Sequence, residues 1–222
     1  DTRQTKKIMN KFQISNNLIS FNKHNSRIKS QRLVKELKDE KSIAIVSDAG
    51  MPGICDPGED IVKEVKSEGH DVICIPGACA ALTALVSSGM PSSSFVFEGF
   101  LPIKKIDREK ILLEISKNEK TTILYESPHR LKRLLNELCQ VCGGDREIEI
   151  ARELTKKFEE HIGNTINSAI NFFEGKKVLG EITIVIRGAS KQNDLEINEL
   201  DLKGELNELI QAGLSPSAAA KY

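Results

Sequence analysis

The sequence VSDAGMPGICDPG occupies residues 46–58 and follows a short run rich in β-branched residues, SIAIVS, at 42–47. Its thirteen residues include three glycines, two prolines and two aspartates. A connection between two elements of a compact domain usually needs only about four to six residues. A longer loop, rich in residues that bend the backbone and placed directly after a buried strand, is typical of ligand binding. The stretch therefore predicts one wall of a pocket for a small charged molecule.

The segments around this loop alternate between strand and helix patterns. SIAIVS (42–47), DVICIPG (71–77) and SFVFEGF (94–100) favour buried strands, whereas EDIVKEVKSEG (59–69) and ACAALTALVSSG (78–89) favour helices. Because strands that alternate with helices join through crossover connections, this order predicts a parallel sheet.

The same kind of pattern restarts after LPIKKIDR (101–108), a polar and basic segment. The predicted helices are 107–119, 128–141 and 165–175, and the predicted strands are 121–127, 146–154 and 180–188. We therefore predict an α/β fold with an N-terminal domain at 1–100 and a C-terminal domain at 101–188. An acidic linker and the start of a small helical unit are expected at 189–222.

The composition is that of a globular protein. Hydrophobic residues make up 39% and charged residues 29% of the 222-residue chain, which argues against a disordered protein. The 32 basic residues equal the 32 acidic ones, so a nucleic acid would have to be held by a local basic patch rather than by net charge. Five cysteines, an odd number, and a polar start without a secretion signal indicate a reducing, cytoplasmic compartment.

Neither a membrane span nor a metal site is expected. The uncharged stretch 72–97 is broken by Pro76-Gly77 and by serines at 92–94, which suits a strand and a packed helix better than a spanning helix. Cys139 and Cys142 form a single C-x-x-C with no second pair or nearby histidine, so no zinc site is predicted.

Residues that follow the predicted strands are the candidate ligand contacts, because ligands of open α/β sheets bind beyond the carboxyl ends of strands. Asp48 could bind ribose hydroxyls or an ammonium group, while Asp56 is expected to cap the next helix. The small side chains of IPGACAAL (75–82) either leave room for a flat ligand or serve tight helix packing. The segment lacks the glycine and lysine patterns of dinucleotide and P-loop sites, which disfavours NAD and ATP.

Charged residues cluster in two further segments. In YESPHR (125–130), Glu126 and Arg130 either pair across one helical turn or supply an acid and a base to a site. The run ARELTKKFEEH (151–161) is either a solvated face or part of a basic rim. Sequence alone leaves both alternatives open.

Several of these segments, in this order and spacing, resemble a known family: SDAGMPGICDPG, IPGACAALTAL, FEGFLP, YESPHR, ARELTK and GEITIVI. The sequence is similar to the ribosomal RNA small-subunit methyltransferase I family, of the tetrapyrrole methylase superfamily. These enzymes use S-adenosylmethionine to 2′-O-methylate a cytidine of 16S rRNA, which supports decoding fidelity. The resemblance implies two α/β/α domains with the cofactor in the inter-domain cleft, a homodimer, and the small ribosomal subunit as substrate. The family's first strand precedes the residues matched here, so the N-terminal sheet is expected to lack that strand.

The resemblance also assigns roles to individual residues. It implies cofactor contacts from Asp48, Gly50, Met51, Ala78, Cys79, Tyr125, Ala151, Glu181 and Ile182. Glu126 is the candidate base for the ribose hydroxyl. The candidate RNA-binding residues are Lys104, Lys105, Arg108, Arg130, Arg152 and Lys156. The competing hypotheses are methylation of a tetrapyrrole or of a modified protein, and a non-catalytic module that binds an adenine-containing ligand.

Overall fold

The structure is a computed structural model that describes residues 2–22, 25–190, 206, 208–210, 213 and 215–219. The chain divides into two compact units, Asp1–Ser87 and Ser88–Tyr222. No helix in the described ranges is both long and apolar enough to cross a membrane. The acidic linker and helix predicted from residue 189 onward fall almost entirely outside the described residues. The predicted domain bounds remain predictions.

The first unit is mainly helical where the structure describes it. Its helices are α1 (Thr2–Lys11), α2 (Ser26–Lys38), α3 (Glu59–Ser67) and α4 (Ala80–Ser88), the last of which ends at the start of the second unit. A small core joins α2 to α3 through Leu33, Val34, Ile61 and Val65. The patterns at 59–69 and 78–89 predicted α3 and α4 correctly, but α1 and α2 were not predicted.

The segments 42–47 and 71–77 were predicted as strands, and the structure has no strand at either position. Val46 is 58% exposed, and Ile73 and Ile75 are 81% and 77% exposed. A β-branched run becomes a strand only when a neighbouring strand supplies hydrogen-bond partners. Within the described part of the first unit no such ladder forms, so these segments do not become strands.

The second unit contains a five-stranded mixed sheet. Its strands are β1 (Phe95–Phe100), β2 (Thr121–Glu126), β3 (Glu147–Arg152), β4 (Glu160–Thr165) and β5 (Ile182–Ile186). The spatial order is β1-β2-β5-β3-β4, with β1 and β2 parallel and the other neighbours antiparallel. The helices are α5 (Lys105–Lys117), α6 (Leu131–Cys142), α7 (Ile166–Phe173) and α8 (Pro216–Ala219).

Two strands of this sheet differ from the sequence prediction. The sequence grouped β1 with the strands of the first domain, whereas β1 pairs with β2. Strand β4 was not predicted: the charged run 151–161 covers only its first two residues, whereas Glu160–Thr165 pairs along the whole of β3. Ile162 of β4 is buried while His161 and Asn164 are exposed, which is compatible with an edge strand, because one face of such a strand meets water.

The sheet is buried on both faces at its centre. Leu124, Ile150 and Ile184 lie on the face that packs against α5, α6 and α7. Their neighbours Ile123 and Val185, which point to the opposite face, are 0% exposed. Burial on both sides explains why β2 and β5 appear in the sequence as continuous apolar runs rather than alternating ones.

Candidate active site

The carboxyl ends of β1, β2 and β3 meet at one edge of the sheet, because these three strands run in the same direction. Glu126 and Arg152 both pair with Ile182, and one row further in, Tyr125 and Ala151 both pair with Thr183. The structure thus brings together the candidates that the sequence placed after separate strands. This is the edge at which α/β sheets bind ligands.

A β-bulge arranges three aromatic rings at this edge. Phe97 pairs with Ile123, but Gly99 pairs with the next residue of β2, so Glu98 is skipped in the register. Without the bulge, Phe97 and Phe100 would face opposite sides of the sheet, since they are three residues apart. With it, both rings reach Tyr125, with centroids at 5.0 Å and 5.7 Å.

Phe100 is 55% exposed, and the sequence analysis did not select it as a site residue. A signal for it was present, because a glycine inside a strand pattern, here Gly99, often marks a bulge. The φ of Gly99 is +63°, a left-handed conformation that suits glycine.

Glu126 lies within a buried cluster of charges rather than at an open surface. Its side chain is 0% exposed, with Oε1 at 3.2 Å from Arg130 Nε and Oε2 at 3.7 Å from Arg108 Nη2. Oε1 also accepts a hydrogen bond from the N–H of Ser127 at 2.7 Å. Of the two interpretations that the sequence left open, the structure shows the ion pair between Glu126 and Arg130.

Arg108 was predicted to bind RNA, and the structure contradicts this prediction. Its side chain is 3% exposed, and its Nε donates to Glu137 Oε2 at 2.7 Å. Nη2 lies 2.7 Å from the same oxygen in an ion pair whose geometry is not that of a hydrogen bond. Burial acts to raise the pKa of Glu137, but hydrogen bonds from Arg133 and Arg108 outweigh it and lower the pKa. The buried Glu126 and the half-buried Glu137 therefore hold Arg108 away from any phosphate.

Ion pairs restrain the loop that begins at the end of β3. Arg152 Nε donates to Glu160 Oε2 at 2.9 Å, and Lys156 Nζ lies 2.9 Å from Glu153 Oε1 and 3.1 Å from Glu181 Oε2. Hydrogen bonds from Lys156 and from the N–H of Glu181 lower the pKa of Glu153. The N–H of Glu181 is thereby engaged within the loop, and the backbone contact with adenine expected around Glu181 and Ile182 stays a prediction.

Glycine at position 180 makes room for this loop. Its φ is +89°, and an added Cβ would lie 2.5 Å from Glu153 Cγ. The φ values of Glu153 and Thr155 are also positive, +53° and +65°. Strained residues of this kind persist only when their surroundings hold them in place, and they concentrate at functional sites.

We expect Gly180→Ala to destabilise the protein more than Gly175→Ala does. Both glycines have a positive φ, but a Cβ at Gly175 would meet nothing within 4 Å. Gly175→Ala therefore reports backbone strain alone, about 1–2 kcal/mol. Gly180→Ala also displaces Glu153, which adds about 1 kcal/mol for its lost hydrogen bonds. Urea unfolding of both variants measures the difference. Equal losses in the free energy of unfolding would show that the Glu153 side chain moves aside without cost.

In the first unit, the two predicted cofactor loops meet. Gly50 has a φ of +71°, and a Cβ there would lie 3.3 Å from the carbonyl oxygen of Ala78. Ser47 Oγ closes the turn by donating to the carbonyl of Gly50 at 2.6 Å. The N-cap residue of α3 is Gly58, two residues after Asp56. Asp48 is exposed, and Met51 and Cys79 are half-buried.

Similarity to known proteins shows which family the chain belongs to. Residues 3–170 match the family profile described as Tetrapyrrole (Corrin/Porphyrin) Methylases. A ribosomal RNA small subunit methyltransferase I from Synechocystis sp. is 41% identical over 221 residues, which cover 100% of this chain and 79% of the relative. One of the same name from Thermotoga maritima is 44% identical over 188 residues, covering 85% and 84%. The chain belongs to the ribosomal RNA small subunit methyltransferase I family of tetrapyrrole methylases.

Solved structures show the same fold at low sequence identity. The methyltransferase CobJ aligns with a TM-score of 0.56 and 19% identity, covering 72% of this chain and 70% of its own. A uroporphyrin-III C-methyltransferase from Thermus thermophilus, complexed with S-adenosyl homocysteine, aligns with a TM-score of 0.51 and 12% identity, covering 72% and 73%. The α/β fold of the tetrapyrrole methylase type that the motifs predicted is confirmed.

Membership of the ribosomal RNA small subunit methyltransferase I family identifies the chain as an S-adenosylmethionine-dependent methyltransferase. The first-unit loops fit such a cofactor. An exposed carboxylate at Asp48 can accept hydrogen bonds from ribose or ammonium groups. The absence of side chains at Gly50 and Gly53 exposes the backbone of the same loop to close approach.

This family member also carries a histidine between two carboxylates on the β3–β4 pair. His161 Nδ1 lies 2.8 Å from Glu149 Oε1, and Nε2 lies 3.1 Å from Glu159 Oε1. Hydrogen bonds to Glu149 and then to Glu159 raise the pKa of His161. The protonated imidazole is therefore favoured in the folded state.

We expect His161 to make stability depend on pH. Because its pKa is higher in the folded than in the unfolded chain, its contribution is complete below the unfolded value of about 6.5. The contribution is lost as the pH rises through the raised folded-state pKa. Urea unfolding across this range should show a decline in the wild type that is absent from His161→Gln. Identical slopes in the two proteins would show that the pair of carboxylates does not stabilise the imidazolium.

Proposed function

We propose that the chain transfers a methyl group from S-adenosylmethionine to the 2′-oxygen of a cytidine ribose in 16S rRNA of the small ribosomal subunit. The proposal includes action in the cytoplasm and as a homodimer. Its main support is the combination of family membership with the convergence of Tyr125, Ala151 and Ile182 at one sheet edge. Tetrapyrrole methylation is disfavoured, because relatives that are 41% and 44% identical bear the rRNA methyltransferase name.

The proposed cofactor contacts are those that the family resemblance implies: Asp48, Gly50, Met51, Ala78, Cys79, Tyr125, Ala151, Glu181 and Ile182. When bound, S-adenosylmethionine supplies a methyl group that its positive sulfur has already activated. The protein's task is then alignment, which can contribute about 7–11 kcal/mol to lowering a barrier.

The proposed RNA contacts lie after β1. Lys104 and Lys105 are exposed, the latter with 80% of its side chain accessible. Lys105 Nζ lies 3.7 Å from Glu109 Oε1, but an ion pair this exposed contributes little, so a phosphate can compete for the ammonium group. The half-exposed ring of Phe100 is suited to stacking on an unpaired base. Arg130, Arg152 and Lys156 are already paired with carboxylates, so we assign them a smaller share of phosphate binding.

We expect Asp48→Ala to weaken binding of S-adenosylhomocysteine by about 10- to 100-fold, the cost of a hydrogen bond to a charged group. Asp60→Ala is the matched control, since Asp60 is an exposed acid in the first turn of the neighbouring helix α3. Isothermal titration calorimetry measures both. Unchanged affinity in Asp48→Ala would remove this carboxylate from the cofactor site.

The acceptor can be identified with a labelled methyl group. The protein would be incubated with methyl-labelled S-adenosylmethionine in two separate reactions, one with unmethylated small subunits and one with a tetrapyrrole. Label in rRNA supports the proposal, and label only in the tetrapyrrole supports the alternative chemistry. Cofactor binding without transfer to either acceptor would indicate a non-catalytic module that binds an adenine-containing ligand.

A further inference from the structure

Glu126 connects the loops that follow β1 and β2. Its Oε1 binds the N–H of Ser127 and lies 3.2 Å from Arg130 Nε. Arg130 in turn donates through Nη2 to the carbonyl of Leu101 at 2.8 Å. One chain of contacts therefore runs from the last residue of β2, through the loop 127–130, to the residue that follows β1.

Arg108 holds the other side of the same carboxylate. Its Nη2 lies 3.7 Å from Glu126 Oε2, and its Nε is fixed by Glu137 on α6. Arg108 and Glu126 are each only 2% exposed, so water screens their attraction weakly. A carboxylate held between two guanidinium groups in the interior has little freedom to move.

This setting does not suit the general base that the sequence suggested. A base must approach within about 2.6–3.2 Å of the group it deprotonates, directly or through one water. The side chain of Glu126 is 0% exposed, Oε1 accepts from the N–H of Ser127 and lies 3.2 Å from Arg130 Nε, and Oε2 faces Arg108. In this conformation no oxygen of Glu126 is open to a ribose hydroxyl.

We propose that Glu126 is a positioning residue, which acts through Arg130 to fix the loop after β1 relative to the loop after β2. This inference rests on the proposed function, because the loop after β1 carries Lys104 and Lys105 and follows Phe100. A displacement of about 1 Å in a group that positions a substrate can cost about 10²-fold in rate. The contact between Arg130 and Leu101 restrains such displacements.

Kinetics of three variants distinguish positioning from base catalysis. We expect Glu126→Gln and Arg130→Gln each to lower kcat/KM for small subunits by about 10- to 100-fold. The double variant should be no slower than the slower single one, because both changes break the same chain of contacts. The acid limb of the pH–rate profile should persist in Glu126→Gln. Multiplied losses, or loss of that limb, would overturn the proposal and restore the base role.

A second measurement needs no substrate. Backbone NMR order parameters at Leu101 and Ile103 should fall in both Glu126→Gln and Arg130→Gln. They should not change in Arg133→Gln, whose side chain is 64% exposed and pairs only at the rim of the cluster with Glu137. Unchanged order parameters in the first two variants would overturn positioning. Failure of the wild type to methylate rRNA would instead refute the proposed function.

Discussion

Replacement of Arg108 by methionine is expected to lower the free energy of unfolding by about 3–5 kcal/mol, the usual cost of removing one partner from a buried ion pair. Arg108 is 3% exposed and faces two acids, Glu126 and Glu137. Methionine keeps an unbranched chain of similar length, so packing is largely preserved while the positive charge is lost. Urea unfolding measures the change.

Arg133→Met is the matched control for this prediction. Arg133 Nε contacts the same Glu137 at 2.7 Å, yet its side chain is 64% exposed. Exposed pairs contribute about 0–1 kcal/mol, so the control should lose far less stability than Arg108→Met. Equal losses in the two variants would show that burial does not set the strength of this cluster.

The second large effect is expected from valine at Gly50. The φ of +71° is a conformation that a β-branched residue adopts only with strain, about 1–3 kcal/mol, and the new side chain would press on the carbonyl of Ala78. Both loops that we propose to hold the cofactor would separate. We therefore expect S-adenosylhomocysteine to bind Gly50→Val at least about tenfold more weakly than wild type, by calorimetry.

Gly53→Val separates the two contributions to this effect. Gly53 has a φ of +86°, but an added Cβ would meet nothing within 4 Å. The variant therefore carries the backbone strain without the pressure on Ala78. If Gly53→Val binds the ligand as weakly as Gly50→Val, the contact between the two loops is not what shapes the site.

The sequence predicted best those features that depend on local pattern. The amphipathic spacing of α6 and the apolar runs of β2 and β5 identified these elements, because their burial repeats along the chain. The family resemblance implied Tyr125 and Ala151 as cofactor contacts, and the register places both beside Thr183 at one edge of the sheet, while their contact with the cofactor stays a prediction. The strands expected at 42–47 and 71–77 do not form, because a strand needs a hydrogen-bonding partner that its own sequence does not reveal.

Side-chain exposure in α5 could not be predicted in the same way. In this helix Ile106 is 81% exposed while Arg108 is 2% exposed, the reverse of the hydrophobic expectation. The cause lies in other elements, because Glu126 on β2 and Glu137 on α6 supply the negative charges that a buried Arg108 needs. Because the sequence does not show that these two acids lie next to Arg108, Arg108 was predicted to bind RNA. The bulge that aligns Phe100 with Tyr125 likewise depends on the pairing of two strands.

Nucleoside analysis of methylated rRNA tests the central claim most directly. Unmethylated small subunits would be incubated with the full chain and S-adenosylmethionine, and their 16S rRNA would be digested to nucleosides for mass spectrometry. We predict new 2′-O-methylcytidine, and none when S-adenosylmethionine is omitted. A methyl group on a base rather than on a ribose, or no new methylated nucleoside, would contradict the proposed reaction.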